Sequence, residues 1–256
     1  MSVNLNDFTA STIRPLPVIL LLDTSGSMGQ HGKIQALNRA VRDMLRTFAQ
    51  AESTIADIQV MIVTFGGEDE VSYPFGKELR PAGSIVWKDL TACGRTPLGK
   101  ALKEVKDYIE DRETFPRNAY RPVVILLSDG APYEKSGYSF DKECPRFIGN
   151  DRTAKCARYA MAIGEGAHED LLRGFASKSR RGGHYFFHSS DAADIVHFLE
   201  MVSTVISQVS ASSDPNKHDG MIHFAGSVDS ANGLELDINY QTAPTDDDDD
   251  DNDIPD

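Results

Sequence analysis

Apolar residues in this chain come in short unbroken blocks separated by amphipathic stretches. Residues 17–22 read "PVILLL" between turn-forming neighbours. A continuous apolar run of that length predicts a strand buried on both faces. "IQVMIVTF" at 58–65 and "PVVILL" at 122–127 repeat the pattern, and "ARYAMAIG" at 157–164 and "HYFFH" at 184–188 predict two more strands. "EVSYPF" at 70–75 is shorter and more polar, which suits an edge position. Between these blocks the period changes. In "KIQALNRAVRDMLRTFAQ", Ile34, Leu37, Val41, Met44, Leu45 and Phe48 fall on one helical stripe. "PLGKALKEVKDYIED" at 97–111 is a second amphipathic helix, with Pro97 in its first turn where a missing N–H does no harm. Further helices are expected at 168–177 and 191–209, whereas 133–153 reads as an irregular loop with room for a short helix. Strands separated by helices predict an α/β fold: doubly wound and Rossmann-like, with a mainly parallel central sheet, one antiparallel edge strand and helices on both faces.

The pattern also divides the chain. A folded domain is expected over 15–208, after an N-terminal extension at 1–14. Residues 209–244 read as a linker in which "MIHFAG" and "LELDINYQ" form a candidate short hairpin. Residues 245–256 are expected to be a disordered acidic tail, because six adjacent aspartates repel and bury nothing. That tail changes the reading of charge. The whole chain carries −13, but eight of its acids lie in the tail, so the rest is only mildly acidic. Nothing in it makes a broad basic surface for nucleic acid. Cys93, Cys144 and Cys156 are odd in number and not closely paired, which argues against a disulfide framework or a structural zinc site. The N-terminus lacks a signal pattern, and the longest apolar run, 18–22, is far too short to cross a bilayer. The expected setting is cytoplasmic, with neither membrane nor nucleic acid as partner.

The candidate chemistry sits where the first apolar block stops. Asp23, Ser25 and Ser27 follow it at alternate positions, so one turn can aim three oxygens at one point. Asp129 ends another buried strand, and Thr96 lies in the glycine-containing loop "CGRTPLG" just before a helix. In open parallel sheets ligands gather outside the carboxyl ends of the strands. Hydroxyls with few carboxylates suit a small hard cation such as Mg²⁺, with Mn²⁺ or Ca²⁺ as alternatives. Other readings of these residues fit less well. An EF-hand loop starting at Asp23 would need Gly and Glu where Met28 and Ile34 stand. Ser27 lacks the G-x-S-x-G frame of a hydrolase elbow, and "GQHGK" has the wrong spacing for a P-loop. An aspartyl phosphatase with Asp23 as nucleophile would want an acid where Ser25 stands. Helix capping alone accounts for "DTSGS", but not for the other two segments in the same order.

Together "LLLDTSGSM", "GRTPLG" and "VILLSDG" resemble the von Willebrand factor A (vWA) family and its metal-ion-dependent adhesion site, over residues 15–208. The bacterial TerY/YegL-like branch, associated with tellurium resistance, is the most similar in "LPVILLLDTSGSM" and "KIQALNRAV". The resemblance implies that Ser25, Ser27 and Thr96 contact the metal directly, with Asp23 and Asp129 bound directly or through water. Arg95 departs from the family's usual "GGT" loop. Arg95, Met28 and Tyr133 are the candidate partner-binding residues. The carboxyl-terminal zinc module of some relatives has no counterpart, since no cysteine follows Cys156. His184 and His188 on a strand, and Cys93 near the metal loop, read as packing residues. Trp87 and residues 133–140 read as packing first and as partner surface second.

The implied function is a metal-dependent protein-binding module and not an enzyme. An Asp or Glu of a partner protein would complete the metal's coordination. The bacterial branch implies a stress-response or defence system with kinase, phosphatase or ATPase-like partners. A metal-dependent hydrolase and a metal-free scaffold are the rivals. The hydrolase needs a general base beyond Asp23 and Asp129.

Overall fold

A computed structural model describes residues 13–51, 55–67, 70–133, 137–164, 167–178, 183–189, 191–216 and 235–236. The N-terminal extension to residue 12, most of the expected linker and hairpin, and the acidic tail lie outside the described residues.

β1 (Arg14–Asp23) is buried from Leu16 onward, as its unbroken apolar run requires. Its side chains alternate between two cores. Val18, Leu20 and Leu22 face one, and Ile19 and Leu21 face the other. The first core is covered by α1 (Lys33–Gln50) and α5 (Ala193–Ala211). The second is covered by α2 (Leu98–Glu110), α3 (Phe140–Gly149) and α4 (Glu169–Phe175). β2 (Ala56–Gly66), β5 (Val123–Ser128), β6 (Ala157–Ile163) and β7 (Phe186–Ser189) complete the parallel part of the sheet. Three short strands are antiparallel: β3 (Glu70–Ser72) and β4 (Arg80–Pro81) on β2, and β8 (Glu235–Leu236) on β7.

The strand order is β3-β2-β1-β5-β6-β7-β8. The chain therefore builds outward from β1 to one side through β2, then returns to build the other side from β5. β1 and β5 pair in parallel register, Val18 with Val123 through Leu22 with Leu127, so Asp23 and Ser128 emerge together. Such a reversal of order leaves a crevice at the carboxyl ends of the two strands.

The α/β architecture and the β3 edge agree with the sequence pattern. Within the expected loop, residues 140–149 form α3 and 153–155 a 3-10 turn, the short helix the sequence left room for and one turn more. Phe140, Cys144 and Phe147 make a buried stripe on α3, and Asp141 and Glu143 sit in its first turn, where negative charge is favourable. Pro145 inside that helix hides the period in the sequence. The two-residue strand β4 also left no readable pattern.

Candidate metal site at the strand ends

Three segments meet at the crevice between β1 and β5. The first is the turn after β1. Asp23 is fully buried, and its Oδ1 accepts the Ser25 N–H at 2.7 Å, folding the chain back at once. A 3-10 turn over Gly26–Gly29 follows and brings Ser27 beside Ser25, their hydroxyl oxygens 3.0 Å apart. The second segment is the end of β5. The Ser128 hydroxyl donates to Asp23 Oδ2 at 2.5 Å, and Ser27 Oγ donates to Asp129 Oδ1 at 2.6 Å. The third is the loop before α2, carrying Thr96, which is 5% exposed.

That third loop is strapped by backbone bonds to the turn after β1 and to the chain just past β2. Cys93 N–H donates to the Thr24 carbonyl, Gly26 N–H to Gly94, and Arg95 N–H to Gly67. The approach requires glycine at Gly94. Its φ is +70°, and a Cβ there would lie 2.1 Å from the Gly67 carbonyl oxygen. A second glycine leaves space inside the site. A Cβ on Gly130 would sit 3.2 Å from Thr96 Oγ1 and 3.7 Å from Ser27 Oγ. All five predicted oxygen donors, from Asp23, Ser25, Ser27, Thr96 and Asp129, thus border one small region.

The two carboxylates differ. Burial pushes the Asp23 carboxyl up to about 6, against the opposing pull of its bonds from Ser128 and Ser25, and the nearby Asp129 charge adds to the rise. Asp129 instead has a cation. Lys33 Nζ lies 2.7 Å from Asp129 Oδ2, with side chains 12% and 0% exposed. Neither Lys33 nor Ser128 stood out in the sequence as a site residue. Ser128 was visible within "LLSDG", but a strand-terminal serine carries no sign of which way it faces.

Two sequence expectations are corrected. Met28 is fully buried in the core with α1, because the 3-10 turn rolls it inward, so it offers no surface to a partner. Cys93 is exposed and not a buried thiol, because its loop is held by main-chain bonds that leave the side chain outside. Arg95 is exposed, and its guanidinium lies 3.8 Å over the half-buried Tyr133 ring, with Tyr133 N–H donating to the Thr96 carbonyl. The two therefore stand together on the rim beside Thr96. Trp87 stacks on Phe75 at 5.1 Å.

The donor set fits a small hard divalent cation. It offers oxygen alone, a space bordered by hydroxyls at Gly130, and a buried Asp23 that receives neutral donors. Among the described residues no three His, Cys, Asp or Glu side chains converge, which separates this site from histidine–cysteine zinc centres and acid-rich calcium cages.

Residues 18–131 match the family model for the von Willebrand factor type A domain, a span that includes all five donors. Just under half of the chain therefore resembles a vWA domain by sequence. Solved structures agree at the level of fold. Proximal thread matrix protein 1 from the mussel byssus, in a form with a zinc-occupied MIDAS motif, is 17% identical with a TM-score of 0.54, covering 75% of this chain and 48% of that one. A von Willebrand factor type A protein from Catenulispora acidiphila is 19% identical with a TM-score of 0.52, covering 77% and 43%. The vWF domain of the pilus tip protein Mfa5 from Porphyromonas gingivalis is 10% identical with a TM-score of 0.53, covering 79% and 98%. The chain thus spans about half the length of the first two and nearly all of the third. No curated protein matches it by sequence. No helix among the described residues is long and apolar enough to cross a membrane.

Proposed function

We propose that this chain carries a vWA domain that serves as a metal-dependent protein-binding module. Mg²⁺ is held by Ser25, Ser27 and Thr96, with Asp23 and Asp129 bound directly or through water. When bound, the cation supplies an electrophilic position for a carboxylate, because hydroxyl donors neutralise little of its charge. The observation that carries this reading is the convergence of oxygens from three distant segments on one crevice, anchored by the Ser27–Asp129 bond. A mussel relative of the same fold whose structure has a zinc-occupied MIDAS motif adds support.

The chain's own residues then set the partner's chemistry. Arg95, stacked on Tyr133, places a positive charge on the rim next to Thr96. That favours a partner segment in which an Asp or Glu enters the site and further acids lie beside it. The domain acts without catalysis in this reading, since Asp23 and Asp129 are the acids at the site and both are already hydrogen bonded. The resemblance to bacterial TerY/YegL-like proteins supports a cytosolic assembly or regulatory subunit with kinase, phosphatase or ATPase-like partners in a stress or defence system.

The test is capture of partners from the native cell by tagged full-length chain in Mg²⁺, in EDTA, and with Thr96→Ala. A partner retained by the wild type in Mg²⁺ and lost in both other conditions is expected. A partner retained equally in all three would place the contact elsewhere.

A further inference from the structure

The ion pair between Lys33 and Asp129 has a consequence for the metal. Lys33 is the first residue of α1, and its ammonium reaches Asp129 at the end of β5. It is lodged there from a second side as well. A Cβ on Gly164, just past β6, would lie 3.2 Å from Lys33 Nζ, so the bare glycine makes room for the ammonium. Both oxygens of Asp129 are thereby engaged, Oδ1 by Ser27 and Oδ2 by Lys33. The cluster is internally satisfied with a monovalent cation supplied by the protein itself.

We propose that Lys33 is a tethered cation that competes with the divalent metal for Asp129, and so sets the affinity of the site. Three physical points carry this. A divalent ion and an ammonium placed on one buried carboxylate repel strongly at low local dielectric, so full engagement of both on Asp129 is unfavourable. Asp129 supplies one negative charge and Asp23 one, and Lys33 cancels half of that before the metal arrives. The lysine stem is long and flexible and the side chain keeps 12% exposure, so the ammonium has a route to water when displaced. Displaced, it remains tethered at the rim, where it adds to Arg95 as a second positive group facing an acidic partner. In the metal-free state the same ammonium holds Asp129 against Ser27, which keeps the donors assembled.

This inference rests on the metal-binding reading above, and the experiment separates the two. Metal-free full-length wild type, Lys33→Met and Lys33→Arg are titrated with Mg²⁺ and with Mn²⁺ by calorimetry. The expected result is at least a roughly tenfold tighter site in Lys33→Met, with Lys33→Arg near the wild type. In wild type labelled with ¹⁵N-lysine, the Lys33 ammonium resonance should be protected from exchange without metal and lost to solvent exchange on saturation. A merely structural role for Lys33 would not move that signal. Unchanged or weaker binding in Lys33→Met, or an ammonium signal indifferent to Mg²⁺, overturns the competition while leaving the metal site standing. No binding by any of the three proteins removes the metal reading, and the competition with it.

Discussion

The ends of β1 and β5 place two buried aspartates at one crevice and treat them differently. Asp23, at the end of β1, is surrounded by neutral donors, the Ser128 hydroxyl and the Ser25 N–H. Burial holds its proton up to about 6, and the bonds from Ser128 and Ser25 only partly offset that rise. Asp129, immediately after β5, is equally hidden but is paired with the Lys33 ammonium. The same side chain at the same sheet edge is thus a strained charge in one strand and a compensated one in the next. The difference teaches which strand end would draw a cation. The β1 end has charge in need of a cation, and the β5 end has one that must be surrendered or shared.

Isosteric neutralisation gives the largest and clearest contrast. Asp129→Asn takes the partner from part-buried Lys33 and should cost on the order of 1–3 kcal/mol in urea denaturation at pH 7 with chelator present. Asp23→Asn can keep both neutral hydrogen bonds while losing the buried charge, and should leave stability unchanged or raise it by on the order of 1–3 kcal/mol. Losses of similar size in both variants would break the comparison.

A pH series sharpens it. The folded Asp23 carboxyl keeps its proton to about 6, whereas the unfolded one releases it near 3.8. Between those values the folded state binds more protons, so this group's contribution to stability falls as pH rises from about 4 to about 6 and stays low above that. In metal-free protein, the difference in unfolding free energy between Asp23→Asn and wild type should therefore open across this window. A difference independent of pH would contradict the strained charge at β1.

Ser128→Ala reaches Asp23 from the β5 side and removes its strongest neutral donor. The expected loss is about 1–2 kcal/mol in the metal-free state at pH 7, with a smaller effect below pH 4, where Asp23 is protonated. Equal losses at both pH values would mean that Ser128 matters through packing alone.

The smallest effect is a reporter reading. Exposed Cys93 belongs to the loop that bonds to Thr24 on the β1 side. Burial pushes the Cys144 and Cys156 thiols up to about 11 and about 12, so they should resist alkylation in the native state. A single fast-reacting thiol is expected, slowed a few-fold at most by Mg²⁺. Rapid labelling of all three would mean that the loops around the crevice open far more than this packing allows.

Much of this arrangement was legible in the sequence for identifiable reasons. Asp23, Ser25 and Ser27 are two apart just past an apolar strand, and spacing of that kind is a local signal. Asp129 follows a second such strand, and the strand-end rule brings it to the same edge. Thr96 precedes a helix within a glycine loop, again a local pattern. Lys33 was not legible, because its partner lies 96 positions away and a lysine at a helix start has no distinguishing neighbours. Met28 was expected at the partner surface, but the 3-10 turn over Gly26–Gly29 carries its side chain into the core while Ser27 stays part-exposed. The helix α3 was legible only as room for a short helix, because Pro145 within it is a helix-breaking residue, although Phe140, Cys144 and Phe147 form a regular buried stripe.

The five oxygens at this crevice are expected to hold one divalent cation. The most direct test is Mn²⁺ titration of the metal-free full chain, with free ion followed by electron paramagnetic resonance, for wild type, Ser25→Ala and Thr96→Ala. One Mn²⁺ per wild-type chain is expected, displaceable by Mg²⁺ and lost or weakened at least about tenfold in each variant. Binding of equal stoichiometry and affinity in all three proteins would contradict the account.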